Sequence, residues 1–190
     1  LIATANPCKC GYLSDPSRAC ARAPLCGGEY MGHISGPMMD RFDLTVEMPP
    51  VPFHDLDLPS DGDTSATVAA RVAAAFQIQT DRYRDHPELR SNADLEGAHL
   101  NTVATPDRKG QLLLNRAAEL FRLSARGYHR VLRVGRTIAD LAGANQVTQT
   151  HIAEALSYRL ALPHLVHTKD SQKKQLDPVL LNPMTETSRI

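Results

Sequence analysis

The sequence lacks an excess of charge of either sign, and it lacks a long apolar run. Its 190 residues include 21 Lys or Arg and 21 Asp or Glu, so the formal net charge is zero. Bulk charge therefore gives no indication that the partner is a nucleic acid or an anionic membrane, and only local clusters of charge could do so. No stretch approaches the roughly 18 apolar residues of a membrane helix, which predicts a protein without a membrane span.

Several catalytic motifs are also missing. The chain has no glycine-rich loop ending in Gly-Lys-Ser/Thr and no apolar strand closing on Asp-Glu, so it lacks the residues that cradle a triphosphate and its magnesium ion. It has no HExxH pair and no nucleophile elbow, and its eight histidines are scattered. These absences argue against an independent hydrolase.

The N-terminus has none of the features of a secretory signal. The opening residues LIATANPCKCG contain no basic segment, no long apolar segment and no cleavage site, which predicts a cytoplasmic protein. The apolar run begins at Leu1 without an initiator methionine. We therefore expect the sequence to come from inside a larger protein.

Two short segments near the N-terminus have the pattern of strands. Residues 1–6 form an apolar run that ends at Asn6-Pro7, which predicts a buried strand. Residues 42–48 alternate apolar and polar side chains before Pro49-Pro50, which predicts a strand with one buried face.

A loop between these segments contains all four cysteines: Cys8, Cys10, Cys20 and Cys26. Four thiols in a glycine-rich loop are suited to enclose a tetrahedral zinc ion, which would order a loop that has little core of its own. The C-x-C spacing is tighter than that of common zinc sites. Free or partly oxidised thiols are therefore the alternative, and the more frequent one.

The rest of the chain is predicted to be mainly helical. Residues 51–66 are rich in Pro, Asp, Ser and Gly, as is typical of an acidic linker. Apolar residues recur at helical spacing in five segments of residues 67–165, which predicts a helical domain. Residues 166–190 are polar and aperiodic, which is typical of a disordered or loosely docked tail.

The fourth helical segment carries a row of arginines. Ser124 caps this segment, and Arg126, Arg130, Arg133 and Arg136 lie opposite its apolar stripe. The first three share a face close to the helix N-terminus, where the dipole favours an anion, so they could hold a phosphate or contact DNA. A solvated arginine face is the common alternative.

Three blocks of the sequence resemble one family. They are TANPCKCG, SGPMMDRFDL and the stretch from LSARGYHRVLRVGRTIADLAG to VTQTHIAEALSYR. Together they are similar to the last part of the magnesium-chelatase-like AAA+ ATPases of the bacterial ComM type. The resemblance spans residues 1–162, and its Asp-Arg-Phe-Asp block is shared with chelatase ATPase subunits and minichromosome-maintenance helicases.

The resemblance implies an ATPase that forms a ring, usually hexameric, with ATP and Mg²⁺ between neighbouring subunits. Proteins of this type are described as helicases that promote branch migration of DNA. By this resemblance, Asn6 corresponds to the sensor 1 residue that positions the attacking water. Arg41 corresponds to the arginine finger that reaches into the next subunit's site, and Arg126 to the sensor 2 arginine of the lid.

The fold implied is mainly α, with a helical lid domain at residues 67–165. A remnant of the α/β P-loop core, with two strands and the Cys-rich loop, would occupy residues 1–50. The sequence departs from the family pattern in two respects. Cys20 and Cys26 replace a C-x-C pair, and the Walker A and Walker B segments would precede residue 1. Since the strand that normally separates the two predicted strands is missing, residues 1–50 should be irregular, re-paired or docked against another copy, and the lid should fold alone.

Three functions stay open at this point. The first is the sensor, arginine-finger and lid part of an AAA+ motor, which would have no ATP turnover alone. The second is a non-enzymatic DNA-binding module that uses the arginine face, whose affinity would fall steeply with salt. The third is a piece for oligomerisation or a zinc-stabilised scaffold.

Overall fold

A computed structural model describes residues 1–13, 15, 17–58 and 62–160. These residues form seven α-helices and two single turns of 3-10 helix, Phe53–Asp55 and Asn92–Asp94. The α-helices are α1 (Leu25–Met31), α2 (Gly36–Met39), α3 (Ser65–Arg82), α4 (Gly97–Ala104), α5 (Arg108–Phe121), α6 (Ala125–Leu141) and α7 (Gln149–Leu160). The prediction of a mainly α fold is confirmed.

The five longer helices, α3 to α7, form a bundle with α6 at its centre. α6 packs against α3, α4 and α7, and α5 packs against α7. The apolar side chains of α6 meet those of the neighbouring helices in one core, whose members include Leu95, Leu100, Leu114, Val131 and Ile152. Burial of this apolar surface is the main force that holds the helices together.

The prediction of two strands is wrong. Neither residues 1–6 nor residues 42–48 form a strand, and no strand is found in the described part of the chain. Leu1 and Ile2 are almost fully exposed, as is much of Leu44, Val46 and Met48. A strand needs a neighbouring strand that satisfies its backbone N–H and C=O groups, and the described residues supply none. The alternative expectation for these two segments, irregular backbone, is confirmed.

Two further expectations bear on the rest of the chain. The tail predicted for residues 166–190 lies outside the described residues. In the described residues, no helix is both long enough and apolar enough to cross a membrane.

Candidate functional site

Two acidic side chains attach the Asp-Arg-Phe-Asp segment, residues 40–43, to the helical bundle. Asp40 forms an ion pair with Arg159, near the end of α7. Asp43 forms an ion pair with Arg130, in the first half of α6. We call these four residues the clamp. Both arginines are largely buried, but Asp40 is 24% exposed and Asp43 is 56% exposed, so the Asp40–Arg159 pair is the better shielded of the two from solvent.

Backbone contacts extend the clamp on both sides. The Arg159 guanidinium also donates a hydrogen bond to the carbonyl of Phe42, at 3.0 Å. The N–H of Thr45 donates to the carbonyl of Tyr158, at 2.9 Å. The chain from residue 40 to residue 45 therefore lies along the end of α7 although it forms no secondary structure.

Ser124 joins the clamp to the start of α6. Its hydroxyl donates to Asp40 at 2.7 Å and accepts from the N–H of Gly127 at 2.9 Å, which confirms the predicted helix cap. Arg126 follows two residues later. Its side chain is exposed and has no hydrogen-bond or ion-pair partner among the described residues. This arginine therefore lies beside the clamp, where the positive end of the α6 dipole adds to its charge.

In the sequence, Arg41 lies between Asp40 and Asp43, the two acidic residues of the clamp, but its own side chain takes no part in the clamp. Its side chain is exposed and has no hydrogen-bond or ion-pair partner in the part of the chain that the structure describes. Its backbone N–H donates to the carbonyl of Met38, at 3.0 Å. The clamp thus fixes the backbone on both sides of a guanidinium that is open to solvent.

The other arginines of α6 do not share one exposed face. Arg130 belongs to the clamp, and Arg133 donates to the carbonyl of Leu95 at 2.8 Å. Their side chains are only 16% and 19% exposed. Arg136 is 2% exposed, so the expectation that it lies on an exposed arginine face is wrong. Contact of Arg130 or Arg133 with phosphate or DNA stays a prediction, and Arg126 is the most accessible of the four.

Asn6, expected to correspond to sensor 1, is exposed and belongs to no strand. Its side chain has no hydrogen bond within the described ranges. A sensor on this residue would need a neighbouring strand to hold it against a nucleotide. That role stays a prediction.

Three of the four predicted metal ligands come together. Cys8, Cys10 and Cys26 each place a Sγ atom within 4.8 Å of the other two, and the Sγ atoms of Cys8 and Cys10 are 3.1 Å apart. Gly11 has a φ of 80°, a conformation that glycine adopts without strain, and it turns the chain back so that its N–H reaches the Cys8 carbonyl. Cys20 is not a member of this thiol cluster, and all four cysteines are free thiols.

The thiol cluster changes the pKa of two of its members in opposite directions. A backbone hydrogen bond from Tyr12, and then the contact with Cys8, lower the pKa of Cys10 to about 6. Burial raises the pKa of Cys26 to about 12. Cys20 influences both thiols, so it lies next to the cluster. Since thiolates are the form that binds zinc, the cluster has three ligands that could hold a metal ion and a fourth thiol beside them.

Sequence reasoning missed a buried polar network on the inner side of α6. The centre of the network is Asp140, which is 2% exposed. Its carboxylate accepts two hydrogen bonds from Arg82 of α3, at 2.9 and 2.5 Å. It also accepts from Arg136 at 2.9 Å and from Asn92 at 2.8 Å. The four-residue spacing of Arg136 and Asp140 was visible in the sequence. The position of Arg82 and Asn92 against them was not, because it depends on how α3 packs.

Comparison with known proteins divides the chain into two parts, an N-terminal segment and the helical bundle. The family described as "Magnesium chelatase, subunit ChlI C-terminal" matches residues 62–159, and the family described as "Magnesium chelatase, subunit ChlI" matches residues 1–56. The boundary between the two matches falls within the predicted linker.

Curated relatives cover most of the chain. The competence protein ComM of Haemophilus influenzae is 36% identical over 160 residues, which is 84% of this chain and 30% of that protein. The uncharacterized protein YifB of Salmonella typhimurium is 37% identical over 168 residues, 88% of the chain and 32% of the relative. The uncharacterized protein Rv2897c of Mycobacterium tuberculosis is 36% identical over 163 residues, which is 84% of this chain and 31% of that protein. The chain thus spans about a third of these relatives, and it belongs to the magnesium chelatase ChlI family, as the resemblance predicted.

Proposed function

We propose that this chain supplies the arginine finger, the sensors and the lid of a ring-forming AAA+ ATPase, with Arg41 and Arg126 acting at one subunit interface. The helical bundle is the lid. The clamp carries the proposal, since it holds the segment that bears Arg41 against the end of the bundle that bears Arg126.

The clamp contacts bring the two exposed guanidinium groups to the same end of the bundle. Asp40 precedes Arg41 directly, and its partner Ser124 lies two residues before Arg126. Phosphoryl transfer develops negative charge on the γ-phosphate, and positive groups placed in advance stabilise that charge. Two accessible arginines at the same end of the bundle, with their sequence neighbours joined by a hydrogen bond, suit this task.

The nucleotide that these arginines serve would be held by other residues. The chain contains no Walker A or Walker B motif, so the cradle for ATP and Mg²⁺ must come from a further segment or a neighbouring subunit. When bound, Mg²⁺ would supply positive charge that offsets the negative charge of the phosphates. Arg41 would act in trans, and Asn6 would contribute as sensor 1 once its strand is paired. The isolated chain should therefore hydrolyse no ATP.

The clamp would also transmit movement. Both of its arginines lie on lid helices, so a rotation of the lid around a nucleotide would carry Arg41 with it. In a ring, usually hexameric, this would link the state of one subunit to the active site of the next. By analogy with the family, the whole protein would use the cycle to move DNA at branch points.

We also propose that Cys8, Cys10 and Cys26 bind a zinc ion, with Cys20 as the fourth ligand. The converging Sγ atoms and the low pKa of Cys10 support this assignment. A zinc ion held by four thiolates is closed to substrate, so its contribution would be to order the loop.

The ATPase proposal can be tested with a fusion that places a P-loop segment of this family, with its Walker A and Walker B motifs, before Leu1. The parent fusion should hydrolyse ATP. Arg41→Ala and Arg126→Ala should lower kcat by about 10³-fold or more while the circular dichroism spectrum stays unchanged. Arg116→Ala is the matched control, because Arg116 is an exposed arginine of α5 without a described partner.

Mixing the variants tests action in trans. Subunits with Arg41→Ala keep an intact nucleotide-binding site but lack the arginine finger. Subunits in which the Walker A lysine is replaced keep the arginine finger but lack a working nucleotide-binding site. A mixture of the two inactive proteins should regain part of the activity, because some interfaces combine the intact halves. A mixture as inactive as its components, or ATP turnover by the isolated chain that is lost in Arg126→Ala, would contradict the proposal.

A further inference from the structure

A second group of metal-ligand side chains lies at the junction between α3 and α4. It consists of His86, Glu88 and His99, and each residue places one ligand atom within 4.8 Å of the other two. None of these residues belongs to the clamp or to the thiol cluster. The first two come from the turn that follows α3, and His99 is the third residue of α4.

The ligand atoms converge on one carboxylate. Nδ1 of His86 lies 3.5 Å from Oε1 of Glu88, and Nε2 of His99 lies 3.8 Å from the same oxygen. A tetrahedral zinc ion with bonds of about 2.0–2.2 Å spaces its ligand atoms roughly 3.3–3.6 Å apart. Two of the three separations are therefore already close to those of a metal site, and a small side-chain rotation would complete it.

The backbone that carries these side chains is fixed. The N–H of His86 donates to the carbonyl of Tyr83 at 2.8 Å, and the N–H of Leu89 donates to the carbonyl of His86 at 2.9 Å. Tyr83, Leu89 and Leu100, the neighbour of His99, are all buried in the core. The ligands are thus mounted on anchored positions, and ion binding would require no rearrangement of the fold.

The side chains themselves are accessible. Their exposed fractions are between 44% and 58%, so an ion and its remaining water ligands could enter from solvent. Within the described residues, none of the three side chains has a hydrogen-bond or ion-pair partner outside the group. The two imidazole rings lie edge to face, with centroids 4.8 Å apart. Two imidazoles and a carboxylate that converge at an accessible position are an arrangement that a cation would stabilise.

We propose that His86, Glu88 and His99 bind a divalent transition-metal ion such as Zn²⁺, with water completing the coordination. Imidazole nitrogen suits Zn²⁺, whereas Mg²⁺ and Ca²⁺ prefer all-oxygen sites, so this ion differs from the Mg²⁺ that accompanies ATP. The bound ion would join the turn after α3 to α4. The inference does not depend on the proposed ATPase role.

The test is a Zn²⁺ titration by calorimetry on the full chain, without an affinity tag, in a variant in which all four cysteines are replaced by serine. One Zn²⁺ should bind per chain. His99→Ala and Glu88→Gln should each weaken binding by about 100-fold or more, since even partners that only orient a ligand are worth 10–100-fold. His129→Ala is the matched control, because His129 is an exposed histidine of α6 outside the group.

A second measurement does not require removal of the cysteines. Cadmium NMR with ¹¹³Cd²⁺ separates ions held by sulfur from ions held by nitrogen and oxygen by their chemical shifts. The unaltered chain should show a nitrogen–oxygen resonance that His99→Ala abolishes. A folded cysteine-free variant that binds no Zn²⁺, a titration unchanged by His99→Ala, or an unaltered chain that shows only sulfur-type resonances would each overturn the proposal.

Discussion

Arg136 and Asp140, one helical turn apart in α6, form an ion pair at 2.9 Å in the interior of the bundle, where each residue is 2% exposed. Burial alone would raise the pKa of Asp140. The hydrogen bonds from Arg82 and Asn92 and the charge of Arg136 outweigh this effect, so the net pKa of the carboxyl lies below its ordinary value. The carboxylate is therefore charged, and it links α3 and the turn before α4 to α6.

Removal of this charge should destabilise the fold. The Asp140→Asn substitution removes the anionic partner of Arg82 and Arg136. The guanidinium of Arg136 would then be a buried charge without a counter-ion. Breaking a buried pair in this way costs about 3–5 kcal/mol of the free energy of unfolding, which urea denaturation will measure. Asp85→Asn is the control, because Asp85 is exposed. A loss of stability no larger in Asp140→Asn than in Asp85→Asn would show that the network does not hold the helices together.

Stability should fall in two steps on acidification. Burial, followed by the charge of Arg136, lowers the pKa of His151. A base with a lowered folded-state pKa stabilises the fold above its ordinary pKa of about 6.5, and loses that contribution as the pH falls through the folded value. Protonation would also remove the acceptor at Nδ1, to which the Thr148 N–H donates at 3.1 Å.

The second step belongs to Asp140. Because its folded-state pKa is lowered, its contribution is complete above its ordinary pKa of about 3.9 and is lost as the pH falls through the folded value. Urea midpoints measured from about pH 8 to about pH 2 should show both decreases. His151→Gln should abolish only the upper one. An upper step that persists in His151→Gln would assign it to another group.

The sequence predicts the helices of the bundle well, because capping residues and a 3.6-residue apolar period act locally. It predicts which faces are buried less well. Val68, Val72 and Phe76 recur at helical spacing in α3 and yet are 41%, 54% and 55% exposed, whereas Gln79, a polar residue, is buried. Whether an apolar face meets a partner depends on tertiary packing, and packing is not encoded in the periodicity of one helix.

The thiol cluster should be protected by zinc. If Cys8, Cys10 and Cys26 ligate the ion, with Cys20 beside them, then a stoichiometric amount of Zn²⁺ should block alkylation of all four by iodoacetamide. Peptide mapping by mass spectrometry will measure the modified fraction at each position, and excess EDTA should restore it. Alkylation at an equal rate with and without Zn²⁺ would indicate free thiols in a loop, the alternative that the spacing left open.

The clamp should show energetic coupling across its ion pairs. A double-mutant cycle of Asp40→Ala and Arg159→Ala should give a coupling of about 1–2 kcal/mol, since the pair is largely buried and reinforced by hydrogen bonds to charged groups. Amide exchange at Thr45, whose N–H is bonded to α7, should accelerate in either single variant. Asp57→Ala is the exposed control. A coupling near zero would mean that the segment is not held by these charges.

The clamp illustrates what the sequence could not reveal about the site. The family resemblance drew attention to Arg41 and Arg126, and the helical spacing of the arginines in α6 drew attention to Arg130, each as a separate candidate. Pairing of Asp43 with Arg130, 87 residues later in the chain, arises only when the segment folds back on α6. That contact gives Arg130 an acidic partner two residues from Arg41, and no local pattern indicates it.

A glycine in α6 offers a test of the clamp that leaves its charges in place. A Cβ added at Gly127 would lie 3.0 Å from a guanidinium nitrogen of Arg159. Since that atom is the end of a flexible side chain, Arg159 should shift by a few tenths of an ångström and weaken its contact with Asp40. Replacing glycine should stabilise the helix by up to about 1 kcal/mol, which offsets part of what the weakened ion pair loses, so Gly127→Ala should change the free energy of unfolding by about 1 kcal/mol or less.

Gly135→Ala, on the same helix, should behave in the opposite way. The added Cβ would lie 3.0 Å from Cδ1 of Ile152, which is fully buried and has no space to yield. Overpacking costs about 1–3 kcal/mol, so the net result should be a loss of stability of about 1 kcal/mol. Exchange at Thr45 should accelerate in Gly127→Ala and change little in Gly135→Ala. Unaltered exchange at Thr45 in Gly127→Ala would mean that the position of the Arg159 guanidinium does not determine how firmly the segment is held.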